Sequence, residues 1–286
     1  MLKIKKILVP TDFSSQSSMV AAHARVLALQ SGAEVVVAHC MRPFHLAVEG
    51  VDVPAHVVTE WYAEQKPRIE KQLADFANIY FKDMNVRTVF AEGEPAREII
   101  EVAKREEADL IMISTHGYGA FRRFLLGSIA AKILHDSPVA VLTSTHVDAP
   151  ASATEQIRTI VVAVDLSPRS SQVIASAAAL AREFGAKLHV VHATPDEGDG
   201  AARYLDHAWR DEIARKVAIE IETYVRQGHA EADTVHVISG KIAEVVKQVA
   251  GEVEADLVVI GCHHSHGYNI VRTSPAPVLS LVSCLG

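Results

Sequence analysis

Residues 7–40 read ILVPTDFSSQSSMVAAHARVLALQSGAEVVVAHC, and residues 160–193 read IVVAVDLSPRSSQVIASAAALAREFGAKLHVVHA. The two stretches align without a gap at a constant offset of 153, and about fifteen of the thirty-four positions are identical, Asp12/Asp165, Ser14/Ser167, Gly32/Gly185 and His39/His192 among them. Chance does not produce such a run, so the chain is an internal duplication. Each copy opens with a buried-strand pattern, turns through serines into a helical pattern that stops at glycine, and resumes as a second apolar strand.

The match continues outward. Trp61 pairs with Trp209, Gly93 with Gly240, and Asp109-Leu110-Ile111 with Asp256-Leu257-Val258, at an offset that shrinks to 147 because Met41–Thr59 and Thr194–Ala208 differ in length. Val147–Gln156 is small and polar without apolar periodicity, as expected of a linker. Two domains are therefore expected, residues 1–146 and 157–286, joined by 147–156. In the first, the pattern predicts strands at Ile4–Pro10, Val35–Cys40, Val86–Ala91, Leu110–Ser114 and Val139–Thr143. Helices are expected from Ser14 or Ser15 to Gly32, around Trp61–Phe81, over Ala96–Glu107 behind Glu94-Pro95, and over Ser128–His135. Short all-apolar strands between amphipathic helices imply an α/β fold, two doubly wound parallel sheets in tandem.

Composition excludes several classes of function. A formal charge of −7 over 286 residues gives no basic footprint for nucleic acid. Cys40, Cys262 and Cys284 are far apart, with neither CxxC spacing nor a disulfide framework, which suits a reducing compartment. The apolar run near the N-terminus is too short for a signal peptide, and no stretch reaches the roughly 18–20 apolar residues of a membrane span. A cytoplasmic protein without membrane partners is expected. The chain contains no GxxxxGK[ST], GxGxxG, G-x-S-x-G or HExxH pattern.

In a doubly wound sheet, ligands bind beyond the carboxyl ends of the strands, where strand order reverses. Asp12 follows the first strand, Cys40 ends the second, and Ser114-Thr-His-Gly117 follows the fourth, with Gly127-Ser128 opening the next helix. Gly127-Ser128 reads either as a helix cap or as half of an anion cradle completed by Gly117. Asp12 reads equally as a cap for the helix behind it or as a carboxylate for a ribose hydroxyl or a metal. His39 and His192, at the same strand end in both halves, suit a shared packing or backbone-bonding role. Trp61 and Trp209 are expected to start matched helices and anchor them to the sheet, and Arg122-Arg123 fall inside the candidate phosphate loop.

KKILVPTDFS at the first strand, GEPAREII at the third helix and DLIMISTHGYGAFRRFLLGSIAAKILHDSPVAVL at the end of the first half together resemble a universal stress protein domain, and the resemblance covers the chain as a tandem pair. It implies adenine nucleotide alpha hydrolase-like domains that bind ATP, or AMP or ADP, in a stress-response sensor or regulator. The family's pattern of Gly, two residues, Gly, nine residues, Gly and Ser or Thr falls on Ser114, Gly117, Gly127 and Ser128, with serine at the first glycine. By resemblance, Gly117, Gly127, Ser128 and Ile129 hold phosphates, Pro10, Thr11 and Asp12 line the ribose and a Mg²⁺ or Mn²⁺ ion, and the Cys40 backbone reads the adenine edge. His116 and Asp12 are the groups near a γ-phosphate that slow ATP hydrolysis would need. A homodimer in which last strands pair is also implied; two units in one chain can make that pairing internally, and two chains can associate further.

The second half departs at the phosphate loop. Only ten residues lead from His264 to Ser274, against twenty from Gly117 to Ser137, which reads as loss of the phosphate turn and most of its helix. Nucleotide is therefore expected in the first half alone. Cys262-His263-His264-Ser265-His266 reads either as a histidine-rich polar loop or as part of a Zn²⁺ or Cu site completed from elsewhere, and a nucleotide-independent interaction module remains a further reading.

Overall fold

A computed structural model describes residues 3–42, 54–115, 126–144, 157–196, 206–261 and 266–282. The linker 147–156, His116, Gly117, Arg122-Arg123 and Cys262–Ser265 lie outside the described residues, as does the side chain of His266.

The strand–helix–strand reading of residues 7–40 is realised as β1 (Lys6–Pro10), α1 (Ser15–Ser31) and β2 (Glu34–Met41). Ser14 caps α1 by accepting from the Ser17 amide, and Gly32 ends it in the left-handed region at φ 68°, where its N–H returns to the Ala28 carbonyl. The first half continues through α2 (Ala55–Tyr80), β3 (Val86–Glu92), α3 (Pro95–Arg105), β4 (Leu110–Ser114), α4 (Ser128–Asp136) and β5 (Ala140–Ser144). The second repeats it as β6 (Thr159–Ala163), α5 (Ser170–Phe184), β7 (Lys187–Thr194), α6 (His207–Gln227), β8 (Thr234–Ser239), α7 (Ile242–Glu252), β9 (Leu257–Gly261), α8 (His266–Thr273) and β10 (Val278–Leu281).

Each half is parallel, in the orders β3-β2-β1-β4-β5 and β8-β7-β6-β9-β10, and β5 pairs antiparallel with β10. The halves thereby share one ten-stranded sheet, and the last-strand pairing is made within the chain. Leu279 stands opposite Leu142 in that seam, Thr143 Oγ1 donates to the Val278 carbonyl at 3.2 Å, and Tyr268 Oη on α8 donates to Ala131 O on α4 at 3.1 Å.

Successive strand residues feed two cores. Ile7 and Val9 face α1 and α2 while Leu8 faces α3 and α4, and all three are fully buried, so burial on both faces removes the polar alternation of a one-sided sheet. Asp109 and Asp256 tie matching strand starts together: each takes two backbone amides on Oδ2, from Lys5 and Lys6 or from Arg158 and Thr159.

Three details differ from the sequence reading. Helix α2 starts at Ala55, before Trp61, and runs through Pro67; the carbonyl that this proline leaves without a helical donor belongs to exposed Ala63 and is open to water. Trp209 does not anchor α6: it is 57% exposed, and the helix reaches the core through Ile221 instead. Trp61 is partly buried, edge-on to Tyr62 at 5.3 Å. The α8 helix is also retained, eight residues against nine in α4. Ser137 and Ser274 make the same bonds beyond the two helices, donating at 2.7 Å to Val139 O and Ala276 O. Measured to those equivalent serines, nine of the ten missing residues fall between β9 and α8 and one falls in the helix.

Across β7 and β8, His189 Nδ1 and His236 Nε2 are 3.1 Å apart. Burial lowers both below the ordinary histidine value, and the neighbouring His236 lowers His189 further. The folded state thus prefers both rings neutral. Their contribution to stability is complete above the unfolded value of about 6.5 and is lost as pH falls below it through the lowered folded values. The urea midpoint is expected to drop between pH 7.5 and 5, and to drop less in His236→Gln; an equal drop would clear the pair of responsibility.

Candidate functional site

In the first half the chain runs outward from β1 through β2 to β3, then crosses back to β4 and β5 on the other side. Strand order reverses between β1 and β4, and the crevice of a doubly wound sheet opens beyond the carboxyl ends there. Pro10, Thr11, Asp12, Cys40 and Ser114 all come to these ends, and Ser128 and Ile129 open the helix behind β4.

The turn after β1 is built by Asp12. Its Oδ1 accepts from the Ser14 amide at 3.0 Å, Ser14 Oγ at 2.5 Å and Ser17 Oγ at 2.7 Å. Among the described residues none of these bonds reaches Oδ2, so one carboxylate oxygen shapes the turn and the other, on an exposed residue, takes no part in it. Burial tends to raise this carboxyl, but the bonds from Ser14 and Ser17 outweigh it and hold the group below the usual aspartate range. Phe13, next in the chain, sits at φ 62°, and Leu166 repeats this at 61°. A bulky residue in the left-handed region is uncommon, and its recurrence ties the strain to the Asp12 and Asp165 turns.

Thr11 is buried, and its amide donates to Ala38 O at 2.8 Å. The Thr11 carbonyl faces His39 Nδ1 at 2.8 Å, as the Val164 carbonyl faces His192 Nδ1 at 2.8 Å. Both histidines thus hold the backbone, as their matched positions suggested. Burial lowers the His39 value, against a smaller upward pull from the Thr11 bond and Asp12. Its ring stacks on Phe13, centroids 4.6 Å apart.

Cys40 contributes its backbone. The last pairing between β1 and β2 is Pro10 with Ala38, whereas β2 continues to Met41. Strand residues two apart direct their peptide groups to the same side. Ala38 faces β1, so Cys40 turns its amide and carbonyl to that side where β1 has already ended. The thiol is inert at neutral pH: burial, then Glu98 and Glu94, push it up to about 12, and Sγ lies 3.7 Å from the Gly93 carbonyl. Gly93 fixes this corner at φ 152°, a conformation open essentially to glycine, with its amide bonded to Met41 O. A Cβ there would come within 2.6 Å of Glu98 Cγ. Gly93→Ala is expected to cost about 1–3 kcal/mol in urea unfolding; a loss under about 0.5 kcal/mol would show that the corner relaxes freely.

Ser114 closes β4 in register with Ser144 and is not among the positive-φ residues, so serine meets no backbone penalty at the position where the family pattern has glycine. Gly127, N-cap of α4, donates its amide to Thr115 O at 2.8 Å and carries no side-chain cap. Among the described residues, the donors at this helix end include the first-turn amides of Ser128 and Ile129 and the exposed Ser128 hydroxyl.

A family model of the universal stress protein family matches residues 3–144 and again 156–279. The chain belongs to the universal stress protein family. A universal stress protein of Methanocaldococcus jannaschii is 33% identical over 144 residues, covering 48% of this chain and 80% of that protein. One of Bacillus subtilis is 30% identical over 142 residues, covering 48% and 96%. Each relative thus corresponds to one half of the chain. The crystal structure of a universal stress protein from Archaeoglobus fulgidus matches 97% of this chain and 96% of its own at a TM-score of 0.64 and 22% identity, a likeness of fold over both halves. No helix among the described residues of this universal stress protein is long and apolar enough to cross a membrane.

The sequence reading missed a cavity of about 320 Å³ in the second half, at the ends of β6, β7, β9 and β10, lined in part by Asp165, Ser167 and His192. The signal was present in the identities Asp12/Asp165, Ser14/Ser167, Ser17/Ser170 and His39/His192, which preserve the turn after β6 although the phosphate loop is short.

Proposed function

We propose that the first half of this universal stress protein binds one adenine nucleotide, ATP or else ADP or AMP, and that the chain serves as a stress-linked sensor or regulator. The observation that carries this reading is the notch where β2 outruns β1. There the Cys40 peptide offers one donor and one acceptor, the complement of the one-acceptor, one-donor edge of adenine. Asp12 Oδ2 suits a ribose hydroxyl, and the uncapped first turn of α4 suits phosphate through Ser128 and Ile129. Gly117 and His116 complete the proposed phosphate side from outside the described residues, and Pro10 and Thr11 floor the ribose side.

An ionised carboxylate with one uncommitted oxygen fits a hard divalent cation, so Asp12 would hold Mg²⁺ or Mn²⁺ beside the phosphates, where the ion would neutralise their charge. The same lowered pKa makes Asp12 a weak general base near neutrality, which favours binding over hydrolysis. Nucleotide extracted from purified protein, together with calorimetric titration of ATP, ADP and AMP, tests the reading. One site per chain is expected. Two ATP per chain would defeat the restriction to the first half, and none would favour a nucleotide-independent interaction module. Association of two chains into a homodimer is a separate proposal, read by sedimentation with and without ATP.

A further inference from the structure

His189 of β7 and His236 of β8 lie toward the amino ends of their strands, at the end of the sheet away from the crevice. They share a face with Val191, which packs in one layer with Val245 and Val249 of α7. In the parallel register His189 stands opposite Thr234 and Val191 opposite His236, so the two histidines are diagonal neighbours. Their facing atoms, Nδ1 of His189 and Nε2 of His236, are 3.1 Å apart, and both residues are partly exposed.

The duplication gives this pair its meaning. The same diagonal in the first half joins Val36, opposite Arg87, to Val89, opposite Ala38. Both valines are buried in the apolar layer beneath α3. Both members of a packed apolar pair are therefore histidines in the second half. Setting two imidazoles where valines pack costs free energy that packing does not recover, so packing does not account for the exchange.

Metal ligation does account for it. Two nitrogens bound at about 2.0–2.1 Å to one ion are about 2.9 Å apart at a right angle and about 3.3 Å apart at the tetrahedral angle, and the observed separation falls between. An imidazole carries its hydrogen on either nitrogen, so both facing atoms can present lone pairs to one point. Burial holds both rings below the ordinary histidine value, which keeps them in the neutral form that ligates. Asp233 acts on His189 and Glu252 on His236 as negative charges, against Lys187 at His189, so the surroundings also suit a cation. Among the described residues no third histidine, cysteine or carboxylate completes a cluster with them. The protein thus supplies two ligands and leaves the other positions to water.

We infer that His189 and His236 form a two-histidine site for a divalent transition-metal ion, Zn²⁺, Cu²⁺ or Ni²⁺, at the end of the sheet remote from the crevice. Imidazole suits these ions, whereas Mg²⁺ and Ca²⁺ take oxygen ligands. The site stands independently of the nucleotide reading of the first half.

The test titrates the full chain with Zn²⁺ by calorimetry near pH 7.5, in a parent carrying His263→Ala and His264→Ala so that the other histidine-rich segment contributes less. One Zn²⁺ per chain is expected at this site, bound at least about 10-fold more weakly in His189→Gln and in His236→Gln, because loss of a ligand costs no less than loss of the groups that support one. His189→Val combined with His236→Val restores the pair that the first half packs. It is expected to fold, to lose this ion, and to show no rise in melting temperature with Zn²⁺ where the parent shows one. The glutamine variants keep the test readable should the valine pair fail to fold. The inference is overturned if the parent takes up no Zn²⁺, if either glutamine variant keeps the parental affinity, or if the valine pair binds as much Zn²⁺ as tightly.

Discussion

Replacement of Ser128 by aspartate is expected to weaken ATP binding by about 100-fold or more while leaving the melting temperature unchanged or slightly raised. Ser128 opens α4 behind an N-cap glycine that provides no side-chain acceptor. A carboxylate in the first turn of a helix is stabilising by about 0.3–1 kcal/mol, because it meets the unpaired amides and the positive end of the helix dipole. Those same amides are the donors assigned to phosphate, and Gly127 cannot replace them while its N–H is held by Thr115 O. Two charge-assisted bonds and added repulsion amount to about 3 kcal/mol, or roughly two decades of affinity. Ser128→Ala, which keeps the amides, is expected to lose only about 3- to 10-fold. Calorimetric titration beside a thermal melt checks both, and parent-like affinity in the aspartate variant would move the phosphates away from α4.

The second large effect is on stability. Leu279 lies at the centre of β10, 2% exposed, between Val259 of β9 and Leu142 of β5. Leu279→Asp places a charge without a partner in the seam that joins the halves, at an expected cost of about 4 kcal/mol or more. The melting temperature is expected to fall by about 10 °C, since a chain of this size loses a few degrees per kcal/mol. Leu279→Met, close in volume and apolar, should stay within about 1.5 kcal/mol of the parent. Differential scanning calorimetry decides, and an aspartate variant that melts within about 2 °C of the parent would mean that β10 is not held between its two neighbours.

Much of the site was legible because it is local. Asp12, Ser14 and Ser17 lie within six residues, and their hydrogen bonds follow from side-chain reach along the chain. The backbone role of His39 was legible for another reason, the presence of His192 at the same strand end. The expected loss of the α8 helix failed because a count from His264 to Ser274 cannot say whether missing residues belong to a loop or to a helix. The matching bonds of Ser137 and Ser274 show that the helix survives. Trp209 misled because an aromatic residue early in an amphipathic helix satisfies the period on either face, and only the packing of Ile221 shows which face is turned inward.

The sequence by itself determined the duplication, the parallel α/β character of each half, the helix ends at Ser14 and Gly32, and the set of residues that gather at the strand ends, because each of these depends on periodicity and on bonds between near neighbours. Only the tertiary structure decided that β5 and β10 unite the halves in one sheet, that β2 outruns β1 and turns the Cys40 peptide into a notch, and that the second half keeps a cavity beside Ser167, whose hydroxyl has no partner among the described residues. These depend on register and packing between segments far apart in the chain, which periodicity leaves undetermined.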